Sequence, residues 1–578
     1  MVLDTMILQS LFILHTFFCA TLARGMGGLG NNNCHKHLTT GKSKKLLSHS
    51  LNKARIIIGC TPLSYYLCTL FNFIVSMRLY KHLILLCALA LATLNVSAQK
   101  ERLWTNIEYN AELNAVYSDG DYAPFWFTSN KYGLSSIKNK SGYLRAGLFR
   151  SAANDSARNW RIGYGIDVAA AVRHTSKFIP QQWYFDVHYK QVALSMGQKE
   201  RPMELRNQAL SSGAMTSGIN ARPVPQVRFE LPDYWTIPGT KNWVHLKAHI
   251  AYGLFTDDSW QTDFVASGRR YNQNVLYHSK AGFLRIGNLE KFPITLTGGF
   301  EMSAQFGGEA WNVTKRPDDT SDFDPSYVYV GHGLSQFWNA FIPGGSDASD
   351  GDYKNVEGNH LGSWHISAQY HADNWSVRGY AEHFYEDHSQ LFWQYGWKDM
   401  IYGIEAELPK NPFVNTLVYE HIRTNDQTGG VYHDATDIVS DQISGMDNYY
   451  NNAMYTGWQH WGMGMGNPLL ISPIYNNDGR IEFKHNRIVA HHFGVSGQPC
   501  TELGYRILYT HTKSWGTYVV PTTDPKYGNY FMLELNYQPR FLKGFSFIGA
   551  VATNGGSLLG NSKGAMITIR KSGILGRK

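Results

Sequence analysis

Apolar and polar residues alternate with a period of two along extended stretches of this chain. Val244, Leu246, Ala248, Ile250, Tyr252 and Leu254 share one parity, against Trp243, His245, Lys247, His249, Ala251 and Gly253. Ile294, Leu296, Gly298, Phe300, Met302, Ala304 and Phe306 repeat the pattern against Thr295, Thr297, Gly299, Glu301, Ser303 and Gln305. Successive side chains of a strand point to opposite faces of its sheet, so each stretch predicts a strand with one oily and one wet face. The same alternation predicts strands over 161–173, 183–190, 364–371, 502–509 and 531–538. Together these give an all-β fold, a large antiparallel transmembrane β-barrel with lipid outside and water inside.

A large soluble antiparallel sandwich would alternate in the same way. Composition and the N-terminal signal favour the barrel. Mean hydropathy is only −0.31 although 14% of residues are aromatic, as expected of strands that alternate and gather aromatic residues into girdles. No stretch of about 20 apolar residues follows Leu94, so no helical span is expected there. A closed sheet also leaves no backbone edge unsatisfied in lipid.

The clearest address signal begins at Met77. Arg78 and Lys81 form a charged region, Leu83 to Leu94 is apolar, and Val96-Ser97-Ala98 supplies the small residues of a cleavage site. Residues 77–98 are therefore expected to be a signal peptide cut between Ala98 and Gln99, and 99–578 the barrel domain. Residues 1–76, with apolar stretches Met6 to Leu22 and Ile56 to Val75, are expected to be a mis-assigned upstream extension. Charge divides at the same point. Residues 1–98 hold nine of the Lys and Arg residues against Asp4 alone, which accounts for the whole formal charge of +8. The remainder is balanced, so the electrostatic footprint of a nucleic-acid binder is missing. Five of the 6 cysteines also precede Ala98, leaving Cys500 with no internal disulfide partner.

Segments without alternation are expected to be loops, chiefly Gly308 to Tyr353 and Asn425 to Gly457. The stretch 198–226 also lacks it, and Arg201 to Ala214 is expected to hold a short helix before Arg222-Pro223-Val224-Pro225. Catalytic signatures are weak. Glu382, His383, Glu386, Asp387 and His388 would suit paired-carboxylate chemistry only in a shielded pocket, and are expected to line a loop or lumen edge. His360, His365, His491 and His492 lack metal-ligand spacing, and Gly462-Met463-Gly464-Met465-Gly466 lacks the context of a nucleotide loop. No catalytic residue, metal or cofactor is expected, and the chain reads as a non-enzyme.

Aromatic and amide residues outside the strands suit carbohydrate, because sugar rings stack on indole and phenol faces that cost little entropy to order. Trp393, Tyr449, Tyr450, Asn452, Tyr455, Trp458 and Trp461 are the candidate polysaccharide-binding residues. A membrane girdle needs the same residue types.

Leu194-Ser195-Met196-Gly197, Ser212-Gly213, Arg222-Pro223-Val224-Pro225, Tyr419-Glu420, Tyr455-Thr456-Gly457-Trp458-Gln459-His460-Trp461-Gly462 and Gly466-Asn467-Pro468-Leu469 resemble the capsule-assembly Wzi family from about Glu101 to the C-terminus. The resemblance implies an outer-membrane barrel of about eighteen strands with loops occluding its mouth and short periplasmic helical elements. It also implies a lectin-like role, binding and anchoring capsular polysaccharide or exopolysaccharide at the cell surface and aiding capsule assembly, with no catalytic residues. Outer-membrane lipid and the barrel-insertion machinery are the other expected partners. The alternative is a porin or uptake channel. Unlike many barrels, the chain does not end on an aromatic residue, and its last strand is expected over Gly564 to Arg570, followed by a periplasmic tail.

Overall fold

The computed structural model describes residues 103–155, 157–313, 324–342, 358–386, 398–427 and 447–576. The upstream segment, the signal peptide with its Ala98–Gln99 junction, Asp387, His388 and Trp393 lie outside the described residues. Residues 105–578 form one compact unit, and it is a barrel.

Its wall opens with β1 (Ile107–Gly120), β2 (Lys140–Arg150), β3 (Trp160–Val172), β4 (Phe178–Tyr189), β5 (Val192–Gln198) and β6 (Gln226–Thr236). It continues through β7 (Val244–Leu254), β8 (Leu276–Ile286), β9 (Ile294–Phe306), β10 (Asn359–His371), β11 (Ser376–Glu386) and β12 (Met400–Glu407). It is completed by β13 (Thr416–Arg423), β14 (Ile488–Cys500), β15 (Leu503–Gly516), β16 (Pro521–Tyr537), β17 (Phe545–Gly555) and β18 (Ser562–Leu575). Each strand pairs antiparallel with the next. β18 returns to pair with β1, from Ser562 opposite Gly120 to Leu575 opposite Ile107, so the 18-stranded sheet closes on itself.

The alternation has the sense expected in lipid. Leu284, Leu296, Ile366, Ile404 and Val551 are exposed on the outer wall, while Thr297, Glu301, Ser303, Glu382 and Glu420, on the opposite parity of their strands, are buried inside. Connections are long at one end of the barrel (121–139, 199–225, 255–275, 307–358, 424–487) and short at the other (190–191, 287–293, 372–375, 501–502). These ends are called here the loop end and the turn end; in outer-membrane barrels the longer loops face outward. Aromatic pairs gather near the turn end, with Trp160 and Tyr189 at 4.7 Å and Tyr370 and Trp375 at 5.3 Å, as a girdle requires.

Two expectations need correction. The last strand runs to Leu575, because pairing with β1 consumes the residues expected to form most of a tail. No helix forms over Arg201 to Ala214: Pro202 lacks a donor and Leu205 sits at φ 51, in the left-handed region that breaks a right-handed helix. In this unit the described α-helices, α1 (Phe125–Thr128), α2 (Asp258–Phe264) and α3 (Leu334–Phe341), all lie in long connections. At the turn end the described helical geometry is a 3-10 turn, Ala152–Asp155. None of the described helices is long and apolar enough to cross a membrane.

Candidate functional site

Long connections fold back into the lumen. The segment 199–225 is pinned to the far wall by Arg206, whose guanidinium bonds Glu420 of β13 at 2.9 Å and also Glu382 of β11. The three side chains are all but sealed from solvent. Both carboxylates are saturated from the same segment: Ser211 Oγ and Ser212 N donate to Glu420 at 2.9 and 2.6 Å, and Met215 N donates to Glu382 at 2.8 Å. Tyr380 OH also donates to Glu420 at 2.8 Å. A buried ionic group is tolerated when its partners and its remaining lone pairs are all satisfied, and that condition is met here.

The segment 447–487 packs over the first. Trp458 Nε1 donates to Thr216 O at 2.9 Å, Tyr455 OH to Gly307 O at 3.2 Å, and Tyr449 OH to Asp399 at 2.9 Å. Tyr450 OH donates to Met215 O, and Gly466 lies so close that a Cβ there would meet both atoms at 2.0 Å. The glycine run 462–466 thus serves close packing of two segments. Asp257, before α2, accepts from Gln459 Nε2 at 3.0 Å and Trp461 N at 3.2 Å, and burial raises its carboxyl above the usual range. His460 accepts from Thr256 N at 3.2 Å and contacts Arg222 O at 2.8 Å through Nδ1. That geometry suits a neutral ring, and burial pushes its pKa down to about 3.

The candidate binding residues therefore behave differently from expectation. Tyr449, Tyr450, Tyr455 and Trp458 are core residues of the plug, each 2% exposed or less, and present no ring face to a sugar. Trp461 is half-buried with the Arg222 guanidinium 4.1 Å over its ring. Asn452 shapes its own turn, its Oδ1 accepting from Met454 N at 2.9 Å and Tyr455 N at 3.1 Å. Glu382 and Glu386 are likewise consumed in holding the plug. His360, His365, His491 and His492 all sit on wall strands, and no group of three or more potential metal ligands occurs among the described residues.

An aromatic surface does exist at the loop end. A three-stranded sheet of residues 271–273, 308–311 and 327–331 sets Tyr271, Trp311 and Tyr327 side by side across its strands. Tyr271 and Trp311 are parallel within 3° at 5.8 Å, and Trp311 and Tyr327 lie 4.5 Å apart. Tyr329 follows on the same face, 59% exposed. Gln273 and Glu309, partly exposed, share that parity and bring polar groups beside the rings. The opposite face is anchored to the plug: Asn272 donates to Met454 O at 3.1 Å and accepts from Thr456 N at 2.6 Å. Trp311 was legible as an aromatic residue outside the predicted strands; its two neighbours are 40 and 16 positions away and meet it only through sheet pairing.

The plug does not fill the lumen evenly. Between it and β1, β2 and β15 to β18 lies a chamber of about 430 Å³. Two ion pairs lie within the wall, Arg570 with Glu112 at 2.6 Å and Arg506 with Glu534 at 2.8 Å, and a third joins Arg145 of β2 to Glu200 of the 199–225 segment at 3.0 Å. Lys131, from the 121–139 connection, faces the same chamber, and burial, with Arg506 nearby, pushes its ammonium down to about 8.

No family model and no curated protein matches the sequence. Among solved structures, the chain is similar to Wzi of Escherichia coli, an outer-membrane protein involved in group 1 capsule assembly and a carbohydrate-binding β-barrel. Identity is 14% over 82% of this chain and 86% of that one, with a TM-score of 0.46. OccAB2 of Acinetobacter baumannii matches at 10% identity over 81% and 98%, TM-score 0.40. OprD of Pseudomonas aeruginosa matches at 8% over 82% and 95%, TM-score 0.39. The strand register of this chain itself makes it a closed β-barrel of the outer-membrane type.

Proposed function

We propose that the protein is a non-enzymatic outer-membrane barrel that binds and anchors capsular polysaccharide or exopolysaccharide at the cell surface. The observation that carries this reading is the row of Tyr271, Trp311 and Tyr327 on the outward face of a sheet bolted to the plug. Neighbouring rings with polar groups beside them match the needs of a sugar chain, whose C–H faces stack while hydroxyls hydrogen-bond. A rigid platform loses little entropy on binding. The alternative, a porin or uptake channel, is disfavoured by the buried Arg206 anchorage and the aromatic packing above it, which fill much of the lumen. Lipid around the wall and the machinery that inserts barrels complete the expected partners.

The test is a glycan array probed with the purified barrel. Trp311→Ala is expected to lower affinity for the captured polysaccharide by about tenfold, equivalent to about 1.4 kcal/mol, with unchanged thermal stability. Equal capture by wild type and variant removes the ladder from the function. In cells, a deletion strain is expected to make polysaccharide but shed it.

A further inference from the structure

After the ladder sheet the chain turns at His332 and Gly333 onto the outside of the barrel as α3. Beneath α3 lie His278, Lys280 and His360, three polar residues on the strand parity that elsewhere carries lipid-facing side chains. The helix covers them and uses two of them. Lys280 Nζ donates to Phe341 O, and His360 Nε2 lies 3.3 Å from Ala340 O. These are last-turn carbonyls that lack intrahelical partners, where a cation is favoured. Tyr252 OH donates to Phe337 O at 3.0 Å, and the Phe337 ring packs on Tyr252 and Phe306 at 5.2 and 5.1 Å. The inner face of α3 is thus fully committed to the wall.

Its outer face is apolar as well. Leu334, Trp338 and the adjoining Ile342 are 44%, 61% and 45% exposed, and a spacing of four residues aligns them in one stripe. A helix bathed in water would carry polar residues there. Further along the same wall the stripe is continuous with lipid-facing surface: Phe300 and Trp364, 5.6 Å apart, lead from the α3 contact to the exposed Ile250, Leu284 and Ile366. At about 12 Å in length, α3 is too short to span a bilayer and suited to lie in its plane.

We propose that α3 floats in the boundary between headgroups and acyl chains of the outer leaflet, with Leu334, Trp338 and Ile342 seated in lipid. Tryptophan favours that depth, and an apolar face buried in the interface is how a helix binds a membrane without crossing it. The strand 327–331 joins α3 through two residues, so the float also fixes the height of the aromatic ladder above the lipid.

The experiment inserts p-benzoylphenylalanine at position 338 and irradiates intact cells. Cross-linking to outer-leaflet lipid is expected, as at control position 366 on the mid-wall, and no lipid adduct is expected at position 519 in the exposed 517–520 connection. A protein adduct at 338, whether a second copy or another chain, overturns the proposal, and so does the absence of any adduct there when 366 gives one. Independently, in vesicles of lipids brominated near the headgroup, Trp338→Phe is expected to reduce the quenchable share of tryptophan emission. An unchanged share overturns the proposal.

Discussion

One barrel interior holds two differently built halves. Against β11 and β13 the plug is dry, with Arg206 and both of its carboxylates sealed and the aromatic residues of 447–487 packed above. Against β1, β2 and β15 to β18 the lumen keeps a chamber whose ion pairs remain partly wet, Arg570 being 44% exposed beside Glu112. Both halves pair charges between wall and plug, but only in the dry half are both partners sealed from water. A charge pair holds a segment in place when water cannot replace either partner; where water reaches, the same pair merely keeps a polar wall neutral.

The comparison breaks most severely at Arg206. Arg206→Met removes the cation between two buried carboxylates and is expected to cost about 3–5 kcal/mol, read as a lowered unfolding midpoint. It should also release 199–225, so that planar bilayers record a steady conductance absent from wild type. A smaller effect follows from acid. His460 has its folded pKa held far below its ordinary 6.5, at about 3, so the unfolded plug binds the extra proton first. Stability is fully present above the ordinary pKa and lost as pH falls from about 6.5 towards about 3. Amide exchange across 456–466 should therefore quicken at pH 5 relative to pH 7.5, and His460→Gln should flatten that dependence. The smallest effect belongs to the wet half. Arg570→Met is expected to cost at most about 1 kcal/mol and to leave conductance unchanged; a loss as large as that of Arg206→Met would erase the distinction between the halves.

The wall was legible in the sequence because period two is a local signal. β9 spans Ile294–Phe306, the stretch that the alternation marked. The plug was not legible for a related reason. Tyr449, Tyr450 and Trp458 have the composition demanded equally by a girdle, a sugar site and a core, and only their neighbours decide among these. Arg206 lies 176 and 214 positions from its two carboxylates, a separation no spacing rule can bridge. The ladder was hidden in the same way, since Tyr271 precedes β8 while Trp311 and Tyr327 follow β9, and only sheet pairing makes them neighbours. Irregular backbone such as Leu205 at φ 51 likewise answers to the anchorage and not to local propensity.

The seam between β1 and β18 sets the order of events during assembly. The first strand receives its second partner from the 14-residue β18, so the sheet stays an open ribbon until β18 has been delivered. Some other molecule must shield the waiting edge of β1 until then. Truncation before Ser562 would leave no seam to seal, however intact the remaining seventeen staves.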